Sequence, residues 1–324
     1  MGEVVTSVPK SCPDCQVEGR TTARSNVRYQ IYVSAVVLIP LLFLLTSIPI
    51  VRSASFPAQS GDPFLLNPDY AFSLKHVDCE VVIFGDSTAV TGVDPLTVGG
   101  VTRLKICNIG QSRSALEILG TLALDTYLTN NAPPKYIVMQ FAPETLARGS
   151  QDLFWPEGLT LLLRKKPIPY ALLVLARHPV ESYGFALWAI KAKIGTLFRS
   201  SADFSATEAI FQSRGGLLVL PKPPETRCIK RPSYQPPRAS WVRMLRDRYS
   251  GSATKVLINV SPIPTCTPDA AGIAAGNRNV TDNSLALYPI GLFNDLDRHL
   301  TFEGAQRLSL EIGDEILSRE HQGH

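Results

Sequence analysis

The stretch Val81-Val82-Ile83-Phe84-Gly85-Asp86-Ser87 decides the reading of this chain. Four consecutive apolar residues, two of them valine and one isoleucine, read as a strand buried on both faces, and glycine lets the chain turn sharply where the strand ends. In a parallel sheet the C-terminal strand ends face the ligand crevice, so Ser87 stands where chemistry usually occurs. Leu104 to Ile109, Tyr136 to Phe141 and Lys255 to Val260 read as further strands. A helix is expected from Ser114 to Leu128, with Leu116, Leu119, Leu122 and Leu124 forming its apolar stripe. A last helix follows Thr301, its cap, with Phe302, Ala305, Leu308, Ile312 and Ile316 at intervals of three or four. Strands alternating with helices predict an α/β domain built on a doubly wound parallel sheet.

Working outward, Tyr29 to Val51 contains no Asp, Glu, Lys, Arg or His over 23 residues, enough to span a bilayer. A leader of 28 residues is long for a signal peptide, so the segment reads as an uncleaved signal anchor, although Ser53-Ala54-Ser55 has the small residues of a processing site. Arg20, Arg24 and Arg28 precede it and only Arg52 follows closely, which places the N-terminus in the cytoplasm by the positive-inside rule. The expected organisation is a disordered tail over 1–28, the anchor over 29–51, a Pro-, Ser- and Asp-rich tether over 52–77, and a folded domain over 78–324. Between the third and fourth strands lies a large helical insertion, about 151–249, read as a cap.

The composition, 45% apolar and 19% charged, excludes a wholly disordered chain. A net charge of +4, spread along the sequence, gives no argument for nucleic-acid binding. From Arg164 to Arg199, seven Lys or Arg oppose the single acid Glu181, leaving the rest of the chain at −2. Aromatic and aliphatic residues interleave with these bases, so the stretch suits an anionic membrane surface, a groove for an acidic polymer, or a helical lid with a solvated basic face. Cys12 and Cys15 lack the second pair that a structural zinc site needs, and no metal or cofactor is expected. Cys228 and Cys266 are the better disulfide candidates. If the first two strands end level, with Ser87 opposite Gly110, Cys79 and Cys107 are staggered by about five residues, or ~16 Å, beyond disulfide reach.

A serine hydroxyl needs a base, and His299, at the junction into the last helix, is the histidine best placed to reach it. Asn108-Ile109-Gly110 ends the second strand, where the Gly110 N–H can approach a ligand. Asp86 adjoins the serine but reads as a brace for the loop.

These segments together resemble the SGNH (GDSL-type) hydrolase superfamily of serine esterases and acyltransferases. Val82 to Thr88 is similar to its first block, Asn108-Ile109-Gly110-Gln111-Ser112 to its second, and Asp297 to Gly304 to its last; Thr91-Gly92-Val93-Asp94-Pro95 is closer still to membrane-anchored bacterial members linked to polysaccharide O-acetylation. The resemblance covers about 78–145 and 253–318. It implies a three-layer, flavodoxin-like fold, Ser87 as nucleophile, His299 as general base, and an oxyanion hole from the backbone N–H groups of Ser87 and Gly110. Two departures matter. The family's acid lies three residues before the histidine, where this chain has Leu296; Asp297 is the favoured substitute, with Asp295 close behind. The family's third-block asparagine has no counterpart after the third strand, so Gln140 or Asn108 must supply that donor, or catalysis is weak.

The expected activity is acyl transfer on ester groups, O-acetyl above all, of a carbohydrate, with a membrane O-acyltransferase as the implied partner. The expected location is the cell inner membrane, single-pass, with the catalytic domain periplasmic or extracellular. A lipid-directed esterase and a catalytically inactive SGNH fold that binds polysaccharide or acts as a scaffold are the alternatives.

Overall fold

The computed structural model describes residues 17–60, 62–147, 156–195, 205–216, 224, 228, 237–251, 253–295 and 299–322. Helix α1 (Val17–Arg52) contains the apolar segment, and Asn26–Arg52 is long and apolar enough to cross a membrane. Helicity begins within the expected tail, while Cys12 and Cys15 lie outside the described residues.

The expected tether is instead part of the folded body. It forms α2 (Phe56–Ser60) and α3 (Pro63–Ser73), and Leu65, Leu66, Tyr70 and Ala71 are buried. Asp62 caps α3 by accepting the Phe64 N–H at 2.9 Å, and Pro63 opens the helix, where a missing N–H costs nothing.

Next come β1 (Val81–Gly85), α4 (Ser87–Gly92), α5 (Pro95–Thr102), β2 (Ile106–Asn108), α6 (Arg113–Leu119), α7 (Leu122–Asn130), β3 (Tyr136–Phe141) and α8 (Pro143–Ala147). The single helix expected over 114–128 is broken: α6 ends at Gly120, whose N–H bonds back to the Leu116 carbonyl at 2.7 Å, and α7 restarts two residues later. The insertion contributes α9 (Pro156–Lys165), α10 (Ile168–Arg177), α11 (Pro179–Gly195), α12 (Ser205–Gln212) and α13 (Ala239–Tyr249). Then follow β4 (Lys255–Val260), β5 (Ile263–Pro264), α14 (Ala270–Asn277), β6 (Leu287–Tyr288), β7 (Phe293–Asp295), β8 (His299–Leu300) and α15 (Phe302–His321).

The four long-range strands form one parallel sheet in the order β2-β1-β3-β4. Almost every residue in it is buried, as expected of strands covered on both faces. Val82, Phe84, Ile137, Met139, Val256 and Ile258 pack with α3, α7, α13 and α14 on one face. Val81, Ile83, Val138 and Leu257 pack with α4, α5 and α15 on the other. Helix α13, counted with the cap by sequence, therefore belongs to the sheet. A third apolar cluster joins α9, α10 and α11 to the end of α1 through Val51, Leu159, Leu163, Leu175 and Phe185.

Cys79 and Cys107 are disulfide-bonded, with Cα atoms 5.9 Å apart, which corrects the sequence argument against that pair. Ile83 lies opposite Asn108, so Gly110 is level with Gly85 and not with Ser87, and Cys107 stands opposite Val82. Ahead of the strand, Asp78 has φ +51° and the N–H groups of Glu80 and Val81 share the Lys105 carbonyl. That bend carries Cys79 back over Cys107. Cys228 and Cys266 are also bonded, Cα atoms 6.0 Å apart, and tie the insertion to the segment after β4.

Candidate active site

Strand β1 ends at Gly85, and the position admits no other residue. A Cβ there would lie 1.8 Å from the Gln140 carbonyl oxygen on the neighbouring strand. The close approach turns the chain directly into α4, whose first residue is Ser87 and whose cap is Asp86. The Asp86 carboxylate accepts the Thr88 N–H at 2.9 Å, the Thr88 hydroxyl at 2.7 Å and the Ala142 N–H at 2.9 Å. It braces the loop, tying β1 to the end of β3.

His299 reaches Ser87 from the opposite end of the sequence. The short antiparallel hairpin of β7 and β8 pairs Asp295 with His299, and Thr301 then caps α15 by accepting the Gly304 N–H at 3.2 Å. Held between hairpin and helix, His299 places its Nε2 3.0 Å from Ser87 Oγ. That is hydrogen-bond distance between a nucleophile and the base that would take its proton. Both residues line a cleft of about 170 Å³ with Phe64, Ser112, Arg113, Ser114, Glu144, Glu157 and Ser261. The backbone of Asp295 sits one hairpin step from His299, and Asp297 lies outside the described residues.

Of the expected oxyanion donors, Gly110, Asn108 and Gln140 are hydrogen-bonded within the protein. The Gly110 N–H bonds to Asn108 Oδ1 at 3.0 Å, and Asn108 Nδ2 donates to the carbonyls of Ala89 and Val93 at 2.7 and 3.1 Å. Asn108 therefore braces the helix that carries Ser87 and does not face the cleft. Gln140 is fully buried and donates to Ser261 Oγ at 2.9 Å, which donates to Thr88 Oγ1 at 2.6 Å. Gln140, Ser261, Thr88 and Asp86 thus form one hydrogen-bonded chain beneath the serine. None of Gly110, Asn108 and Gln140 lines the cleft. The Ser87 N–H differs, because the first residue of a helix lies outside the i→i−4 ladder.

Phe64 and Glu157 form the side of the cleft away from the sheet. Phe64 of α3 lies against His299, ring centroids 6.3 Å apart, and forms a wall. Glu157, in the first turn of α9, is 8% exposed, and burial pushes its carboxyl up to about 7. Bonds from its own backbone N–H and from Ser114 oppose the shift, while the nearby Asp62 carboxyl adds to it. Asp62 is itself raised by burial. The close seating of α9 depends on Gly158, where a Cβ would meet Ile118 at 2.9 Å and Ser114 at 3.1 Å.

A serine hydrogen-bonded to a histidine at the strand ends of a parallel sheet, in a small cleft lined by hydroxyls, an arginine and a buried acid, is an arrangement in which a hydroxyl can be activated as a nucleophile. No protein-family model, curated protein or solved structure matches the chain.

Proposed function

We propose that the chain is a membrane-anchored serine acyl-transfer enzyme, an esterase or O-acyltransferase of SGNH type, acting on O-acetyl or similar short ester groups of a carbohydrate. The observation that carries this is the 3.0 Å contact between Ser87 Oγ and His299 Nε2 at the floor of the cleft. The strand order 2-1-3-4, with helices on both faces, agrees with a flavodoxin-like sheet whose ligands sit beyond the C-terminal strand ends. Two disulfides in the part that follows α1 favour an oxidising compartment, hence a periplasmic or extracellular domain and a cytoplasmic N-terminus.

Ser87 attacks the ester carbonyl carbon as His299 takes the hydroxyl proton. The alcohol leaves with that proton, and an acyl-serine remains. Water or a sugar hydroxyl then gives its proton to His299 and attacks the acyl-serine carbonyl, and His299 passes that proton to the departing Ser87 Oγ, restoring the free hydroxyl. The Ser87 N–H stabilises the oxyanion, and Asp297 or Asp295 orients the histidine. At a pH below about 7 the neutral Glu157 carboxyl can donate a hydrogen bond to the alcohol portion of the substrate. A cleft of about 170 Å³ suits a short acyl group better than a long one.

A second reading, an inactive fold that binds polysaccharide or serves as a scaffold, is favoured by the engagement of the Gly110 N–H and Gln140 inside the protein. Loss of one oxyanion donor costs about 2.7–4 kcal/mol in the transition state. The test is hydrolysis of p-nitrophenyl acetate and palmitate by the full chain in detergent, beside Ser87→Ala and His299→Ala. Acetate turnover that falls at least ~10³-fold in both variants, with melting unchanged, is expected. No turnover of either ester by the folded parent sustains the second reading, and a preference for palmitate points to lipid.

A further inference from the structure

We infer that the hairpin of α10 and α11 dips into the outer leaflet of the bilayer that α1 crosses; this rests on reading α1 as a membrane span. About twenty residues cross a hydrocarbon core of about 30 Å. Counted from Tyr29, the outer boundary falls near Ile48. Phe43, some five residues or ~7 Å inside that boundary, makes an edge contact with Tyr183 of α11, ring centroids 6.1 Å apart. Higher up, Phe56 meets Trp188 at 5.8 Å, and Lys193 donates to Gln59 at 2.8 Å. Helix α11 therefore runs alongside the exit of α1, and its N-terminal end, joined to α10, is the deep end.

The surfaces match that placement. One face of α11 packs inward through Ser182, Phe185, Ala186 and Ala189. The opposite face carries Val180, Gly184, Leu187, Lys191 and Ile194, at alternating intervals of four and three, all exposed. Val180, near the tip, is 79% exposed and Leu173 of α10 51%; Arg177 and Glu181, exposed at the same turn, keep the tip shallow, because their charged ends must reach the headgroups. Lys166 and Lys191 flank the hairpin at its shallow end, where anionic headgroups would meet them. Arg164 marks that level: it bonds to the carbonyls of Val51 and Ser53 and pairs with Asp69 at 3.1 Å.

The consequence reaches the cleft. Helix α9 joins both, with Arg164 at the membrane exit and Glu157 in the cleft wall, seven residues or ~10 Å apart along the helix. The hairpin thereby holds the cleft at a fixed height relative to the bilayer.

The test places one fluorophore at a time on the full chain, in Cys12→Ser/Cys15→Ser background, reconstituted in vesicles of zwitterionic and anionic phospholipid. Labels at Leu173→Cys and Val180→Cys are compared with Leu38→Cys in the middle of α1 and Leu96→Cys, an exposed apolar position on α5. Lipids spin-labelled in the upper acyl chain should quench the two hairpin labels several-fold more than Leu96→Cys, and aqueous iodide should quench them several-fold less. Hairpin labels that behave like Leu96→Cys, while Leu38→Cys is embedded, overturn the inference and leave the anchor standing. Labels shielded from both quenchers mean that a second copy covers the face, which also overturns it. A water-exposed Leu38→Cys removes the anchor and the hairpin together.

Discussion

The two walls of the cleft are held by different forces. On the sheet side the loop and helix that carry Ser87 are fixed by hydrogen bonds: Asp86 to Thr88 and Ala142, Gln140 to Ser261, Asn108 to the helix behind the serine. On the cap side, Phe64 and Glu157 stand on helices seated by apolar packing, and Glu157 is a carboxyl buried at a cost that its partners do not cancel. The first arrangement gives a rigid nucleophile. The second gives a wall whose charge changes with pH, which makes it the place where substrate choice and pH response should reside.

The contrast breaks most severely at Gly85. Gly85→Ala drives a methyl into the Gln140 carbonyl, so β1 and β3 must separate; a loss of at least ~4 kcal/mol is expected, seen as a melting temperature lowered by 10 °C or more, or as no folded protein. A variant that melts with the parent would mean the sheet wall is not rigid.

Glu157→Gln sharpens the cap side. The folded-state value of about 7 lies above the ordinary glutamate value of about 4.5, so the parent loses stability as pH rises from about 4.5 through 7 and is level beyond. Melting curves should show the variant gaining on the parent over that window, by on the order of 3 kcal/mol at pH 8, with little difference near pH 4.5. An equal offset at both pH values would show that the carboxyl does not titrate there.

The smallest effect is expected from Ser261→Ala, which cuts the chain from Gln140 to Thr88 and leaves a buried amide without its partner. About 1–3 kcal/mol of stability should go. Esterase kcat should fall by about tenfold or less, because Ser261 acts through Thr88 on the loop that carries Ser87.

What was legible in the sequence follows from locality. The strands at 81, 136 and 255 show as contiguous apolar runs, the last helix shows through its Thr301 cap and apolar period, and Ser87 and His299 stand at ends of elements whose order fixes their meeting. The misses are long-range. Whether Cys79 reaches Cys107 depended on a register two residues away from the one assumed and on a left-handed Asp78. Glu157 resembles any acid in a first helical turn, and only the seating of α9 on α6 buries it. Helix α3 was readable: Asp62-Pro63 is a cap followed by a helix-opening proline, and Leu65, Leu66 and Tyr70 supply the buried face, but the surrounding Pro and Ser content masked them. On the oxyanion side, the bond between Asn108 and Gly110 is one that no spacing reveals.

The central claim is that Ser87 carries an acyl group. Its most direct test is brief incubation of the full chain with p-nitrophenyl acetate, acid quench, and mass spectrometry of the peptide that contains residues 81–88. One acetyl group on Ser87 in the parent, and none in this peptide of Ser87→Ala, is the expected result. A folded parent that releases p-nitrophenol while Ser87 stays unmodified, or that carries the acetyl group on another residue, would contradict it.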